Sequence, residues 1–151
     1  MSDSTANPES DRFNLARFLD AQDGVYSTAL AELRSGRKRT HWMWFIFPQL
    51  DGLGSSSTAR RFAIRDLDEA RAYLNHPVLG PRLIECCRAI LRVDARSATE
   101  IMGYPDDLKL RSSMTLFALV ADGQPEFESV LAKFFGGHTD ANTLKLLQSQ
   151  R

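Results

Sequence analysis

Lys109, Ser112 and Ser113 stand within one turn of a segment that reads as helix. A lysine beside two hydroxyls can hold an anion such as a phosphate or a carboxylate. A helix interior chosen for propensity alone would not carry two consecutive serines. Their other service would be close helix packing, with the Lys109 ammonium reaching to solvent. A second candidate is Gly52-Leu53-Gly54-Ser55-Ser56-Ser57. Its backbone amides run into a helix N-terminus and can cradle a phosphate, with Arg60 or Arg61 adding charge. It lacks the Gly-Lys-Ser/Thr ending of a P-loop and the third glycine of a dinucleotide fingerprint, so it also reads as an ordinary loop with a cap. The third candidate is His41, set between a basic cluster and two tryptophans, with Gln49 beyond them. It suits a general acid or base, or a hydrogen-bonded core histidine. Trp42 and Trp44 can stack a base or nicotinamide ring, or simply fill the core.

Other chemistries find less support. The histidines at 41, 76 and 138 have no metal-ligand spacing with one another or with cysteine, which argues against zinc. No Gly-x-Ser-x-Gly elbow occurs. Cys86 and Cys87 are adjacent and lack the sequence surroundings of a nucleophile. They read as reduced thiols of a cytoplasmic protein.

The elements that must position these residues centre on Thr40-His41-Trp42-Met43-Trp44-Phe45-Ile46-Phe47-Pro48-Gln49. The stretch is apolar on every side and is expected to be buried all round. His41, Gln49 and the two indole N–H groups must then find partners, because an unpaired buried polar group costs roughly 1–3 kcal/mol. Periodicity does not distinguish helix from strand here. With no convincing second strand to pair with, a short helix ending near Pro48 is the consistent reading.

Around it the chain reads as short helices. Asn14 would cap a first helix with the stripe Leu15, Phe18, Leu19 and Gln22; Tyr26, Ala29, Leu30 and Leu33 follow, stopped by Gly36. Arg34, Arg37, Lys38 and Arg39 cluster at that stop and would offset the helix dipole. Ser56 or Ser57 caps the next helix, and Asp66 with Glu69 makes an acidic analogue of a capping box. Leu79, Leu83, Cys86, Cys87 and Ile90 form the clearest amphipathic stripe. Ser97 with Glu100 opens a turn closed by Gly103. A helix from Pro105 to about Val120 would carry Asp106, Leu110, Ser113, Phe117 and Val120 inward. Phe127, Val130, Leu131 and Phe134 face inward before Gly136-Gly137, and Asp140 caps a last helix holding Leu144 and Leu147. The fold class is therefore all-α, a single irregular and roughly orthogonal array of about eight or nine short helices.

At 151 residues the chain is long enough to build its own core. Hydrophobic residues are 43% and charged residues 25%, ordinary for a globular domain. The 19 basic and 19 acidic residues cancel, which argues against non-specific nucleic-acid binding. Residues 1–12 are polar and acidic, with no basic or apolar segment of a signal peptide, and read as a disordered tail before a domain over 13–151. No apolar run approaches the ~20 residues of a membrane helix. A cytoplasmic protein without membrane association is expected.

The Ala21-Gln22 pair, the block from His41 to Gln49, Gly52-Leu53-Gly54 with the serines after it, His76-Pro77-Val78-Leu79-Gly80, and Asp107 to Phe117 together resemble the bacterial family of domain of unknown function 1810. The resemblance runs from about Phe18 to Leu147 and implies a mainly helical fold. Arg60 and Phe62 stand where glutamine and tyrosine are more usual in it. It brings no activity, cofactor or catalytic residue, so enzyme or not stays open and any cofactor is unknown. The residues favour a small anionic or nucleotide-like ligand near the tryptophan stretch, held by His41, Trp44, Gln49, Gly54, Ser55, Lys109, Ser112 and Ser113. The alternative is a helical module that binds another protein and has no catalytic activity.

Overall fold

The computed structural model describes residues 11–150. Apolar positions recur every three or four residues, but a glycine, a proline or a capping side chain soon intervenes, so the helices are short. Among the described residues they are α1 (Ala16–Gln22), α2 (Tyr26–Ser35), α3 (Met43–Ile46), α4 (Ser57–Arg61), α5 (Leu67–Asn75), α6 (Leu79–Leu91), α7 (Ala98–Met102), α8 (Asp106–Ala118), α9 (Glu126–Phe135) and α10 (Ala141–Ser149). The fold is all-helical, with ten helices where the sequence suggests eight or nine. Among the described residues the remaining regular pairing is one parallel bridge between Leu50 and Ile64. None of the described helices is long and apolar enough to cross a membrane.

α8 is the axis of the fold. It packs against α5, α7, α9 and α10, and every residue from Ser112 to Phe117 is buried. A segment enclosed on all sides, as 112–117 is, shows no single stripe, which is why the inner stripe read from sequence captures only part of α8. Its ends, Asp106 and Val120, are only partly buried. α6 packs against α2, α5 and α9, and its whole expected stripe is buried.

Side chains set most helix starts. Ser56, Ser97 and Asp140 accept from the N–H three residues on, and Glu100 returns the bond to the Ser97 N–H to complete a capping box. Asp66 caps α5, but Glu69 accepts from the Arg65 N–H at 2.9 Å instead of closing the box, while its other oxygen meets Arg17 Nη2 at 2.8 Å. Asn14 does not cap α1. It has a left-handed φ of +54°, and Asp11 takes the role, its Oδ1 accepting from the Leu15 N–H at 2.6 Å. Residues 1–10 of the expected tail lie outside the described residues; Asp11 and Arg12 lie within them and begin a turn. Gly36 and Gly136 end α2 and α9 in the left-handed conformation.

One buried carboxylate directs the aromatic stretch. Glu32, on α2, accepts from the Arg39 N–H (2.8 Å), the Thr40 N–H (3.1 Å), the Thr40 hydroxyl (2.7 Å) and the Trp42 indole N–H (2.9 Å). These bonds pull Trp42 fully into the core and fix the strap before α3. Lys38 is drawn inward with it. Its side chain is 6% exposed, and Nζ lies 2.9 Å from Asp106 Oδ2 on α8, so Lys38 is an internal tie and not the dipole partner expected from sequence. Gln22, inconvenient on its stripe, bridges elements: its Nε2 donates to the Phe45 carbonyl and the Tyr73 hydroxyl, and its Oε1 accepts from Arg82.

Burial alone would raise the Glu32 pKa, but its hydrogen bonds from Arg39, Thr40 and Trp42 outweigh that and lower it from 4.5 to about 2. The stability it contributes is therefore present above about pH 4.5 and lost as pH falls toward 2. Glu32→Gln, which cannot titrate, is expected to flatten that limb of the pH–stability curve. Glu32→Ala strands the indole and two backbone N–H groups and should cost about 3 kcal/mol in denaturant unfolding.

Candidate functional site

Trp44 and Phe45 are the aromatic members of the stretch that do not go fully inside. With Trp42 fixed by Glu32, Trp44, two residues further on in α3, reaches the wall of a cleft of about 580 Å³. The loop after Pro48 supplies a second wall through Gln49, Leu53, Gly54, Ser55 and Ser56. The first two turns of α8 and the start of α10 close the other side with Lys109, Arg111, Ser112, Asp140 and Asn142. Gly54 is required by close approach: a Cβ there would lie 2.6 Å from Ala59 Cβ. Ser56 is committed to its cap on Ala59.

The electrostatics of the cleft turn on Asp106. Its Oδ2 is held by Lys38, and its Oδ1 lies 3.6 Å from Lys109 Nζ, so two ammonium groups share one carboxylate. Lys109 Nζ also sits 5.1 Å from the centre of the Trp44 ring, against the π face. Arg111 donates to the carbonyls of His138 (3.1 Å) and Thr139 (2.7 Å), tying α8 to the chain entering α10. Asp140 Oδ2 accepts from the Thr143 N–H and hydroxyl, and lies 3.1 Å from Ser112 Oγ. Ser112 Oγ is also 3.2 Å from the Leu108 carbonyl, so its one proton is already engaged. An anion entering here meets Lys109 and Arg111 as its cations, with the Ser55 hydroxyl and the Asn142 amide beside them.

Six of the eight residues singled out in the sequence come together on this cleft: Trp44, Gln49, Gly54, Ser55, Lys109 and Ser112. His41 and Ser113 do not line it. Glu32 takes hold of Arg39, Thr40 and Trp42 and leaves His41 exposed, so the stretch is not buried all round. Ser113 lies one helical step from Ser112 and is wholly enclosed in the core, where its Oγ has no hydrogen-bond partner. Arg111, Asn142 and Asp106 were missed as site residues. The Asp106–Lys109 spacing of i, i+3 was the available clue. The arginine segments do not merge: Arg34 lines one cleft, and Arg60, Arg61 and Arg65 line another with Arg17. Burial pushes Cys86 up to about 12 and Cys87 well above its ordinary value, which disfavours the thiolates. Among the described residues no group of three or more His, Cys, Asp or Glu side chains is placed to hold a metal ion.

The class defined by this geometry is a small all-helical domain with an open, mixed polar and aromatic cleft beside its central helix. The chain belongs to the family described as "Protein of unknown function (DUF1810)", whose profile matches residues 12–147 and so takes in every part of the cleft. The crystal structure of the conserved hypothetical protein Rv1873 from Mycobacterium tuberculosis, at 1.38 Å, is similar to it, with 56% sequence identity and a TM-score of 0.90. That match covers 91% of this chain and 99% of the other. None of the curated proteins matches.

Because the Ser113 hydroxyl is buried without a partner, Ser113→Ala is expected to leave stability unchanged or raise it by about 1 kcal/mol. Thermal and denaturant unfolding check this, and a loss above about 1 kcal/mol would show that the hydroxyl has a partner.

Proposed function

We propose that the cleft between α3, the 49–56 loop, α8 and α10 binds a small anionic molecule, with Trp44 flanking a planar part of it. The observation that carries this reading is the placement of Lys109, which shares Asp106 with Lys38 and lies against Trp44 at the mouth of a cleft of about 580 Å³. That volume falls within the range of ordinary small-ligand sites, roughly 300–1,000 Å³. Half-satisfied by a carboxylate 3.6 Å away, the ammonium retains attraction for a phosphate or carboxylate. A nucleotide-like molecule would use both features, its phosphate on Lys109 and Arg111 and its base along the indole. The ligand's anionic group would replace Asp106 as the partner of Lys109, and no covalent step is assigned to the site. The protein-docking alternative has less to rest on. Among the described residues the exposed large apolar side chains are Val78, Tyr104, Leu108 and Leu119, spread over three parts of the fold.

A thermal-shift screen with nucleotides, sugar phosphates and small carboxylates tests this. A ligand present at 100 times its dissociation constant should stabilise by about 2.7 kcal/mol, which for a chain of this size is a midpoint rise of several degrees. Lys109→Ala should abolish the rise and change the stability of the free protein by less than about 1 kcal/mol, because the side chain is partly exposed and its ion pair is long. A flat response to the whole panel, or a rise that survives Lys109→Ala, contradicts the proposal.

A further inference from the structure

A second cleft, of about 820 Å³, lies along the side of α6 opposite its apolar stripe and shares no lining residue with the first. Four arginines line it, Arg34 from α2, Arg82 and Arg88 from α6 and Arg92 just past its end, against a single lining carboxylate, Glu85. Sequence periodicity brings out the apolar stripe of α6 and does not single out Arg82, Arg88 and Arg92. They fall on the back of it, Arg92 standing ten positions after Arg82, a rise of about 15 Å along the helix.

Their charges are only partly met. Arg34 Nη2 is 3.7 Å from Glu85 Oε2, with both side chains near half exposed or more, and the other Glu85 oxygen accepts from the Tyr26 hydroxyl. Arg88 Nε meets Glu126 Oε2 at 3.0 Å. Arg82 donates to Gln22 Oε1 at 3.1 Å and lies over the Tyr26 ring, and Arg92 pairs with no carboxylate among the described residues. Glu85 and Glu126 together therefore leave two of the four positive charges unbalanced. On a chain of zero net charge this is a local segregation of sign.

We propose that this cleft is a second anion site, for a compact molecule carrying two or more phosphate groups. Two unbalanced guanidinium groups call for at least two negative charges. Their planar forks match phosphate oxygens bidentately. A row of about 15 Å is longer than one orthophosphate can bridge, so linked phosphates use it better. The volume is that of a small-molecule site. Arg82 already occupies the face of Tyr26, so the cleft offers no open aromatic ring on which a nucleobase would stack, which favours a small phosphate chain over single-stranded nucleic acid. The inference is independent of the reading given for the first cleft.

Isothermal titration of the full chain with inorganic triphosphate tests it, using Arg34→Ala/Arg92→Ala and Lys109→Ala as variants. Arg34 and Arg92 are exposed, so the double variant should keep its helical circular-dichroism spectrum and unfolding midpoint; Arg92→Gln alone is the fallback if it does not. Triphosphate should bind the wild type more tightly than orthophosphate does. The double variant should lose about tenfold or more, the same loss should appear when the arginine changes are made on a Lys109→Ala background, and affinity should fall as salt rises. The proposal is overturned if triphosphate does not bind at millimolar concentration, if orthophosphate binds equally well, or if the loss follows Lys109 and not the arginines. It is also overturned if a single-stranded oligonucleotide binds more tightly than triphosphate through the same arginines, since the face is then one for nucleic acid.

Discussion

The four hydrogen bonds that converge on Glu32 set the course of the chain through its most aromatic segment. A carboxylate on α2 receives two backbone N–H groups, a hydroxyl and an indole from residues 39 to 42, and those residues have no freedom left. Trp42 is carried to the centre of the core, His41 is left on the outside, and Trp44 is only partly buried. Lys38, at the start of the same strap, reaches Asp106 at the head of α8. The wall of the cleft and the charge at its mouth are thus both consequences of where one buried carboxylate sits.

Much of the fold was legible because the determinants are local. Ser56, Asp66, Ser97 and Asp140 are caps that accept from N–H groups three residues on, and the α6 stripe from Leu79 to Ile90 follows helical spacing. What was not legible depends on partners far apart in the chain. Nothing near His41 states that Glu32 will anchor the residues on either side of it. Nothing near Lys38 states that it will face Asp106, 68 positions on. α8 was read with one inner face because sequence periodicity cannot show that α5, α9 and α10 enclose it from several directions. That is why Ser112 and Ser113, adjacent in sequence, part company: one borders the cleft and the other is sealed in the core. For Arg82, Arg88 and Arg92 the spacing itself was visible; what was missing was Arg34, brought beside them by the packing of α2 on α6.

The zero net charge of the chain conceals an uneven distribution. Glu32 and Glu69 are buried and matched by hydrogen bonds or by Arg17, so these acidic groups serve the interior. Several basic groups are left at the two clefts with fewer carboxylate partners, Lys109 at one and Arg82 and Arg92 at the other. Acidic groups used for architecture and basic groups kept at concavities produce a neutral protein with anion-attracting sites.

The most direct measurement is a backbone-amide NMR titration of the full chain with nucleoside monophosphates, sugar phosphates and small carboxylates in turn. The account predicts that a ligand which binds produces saturable shifts concentrated at Trp44, Gly54, Ser55, Lys109, Ser112 and Asn142. Shifts that never saturate, or that leave those residues unmoved while gathering elsewhere on the fold, would contradict it.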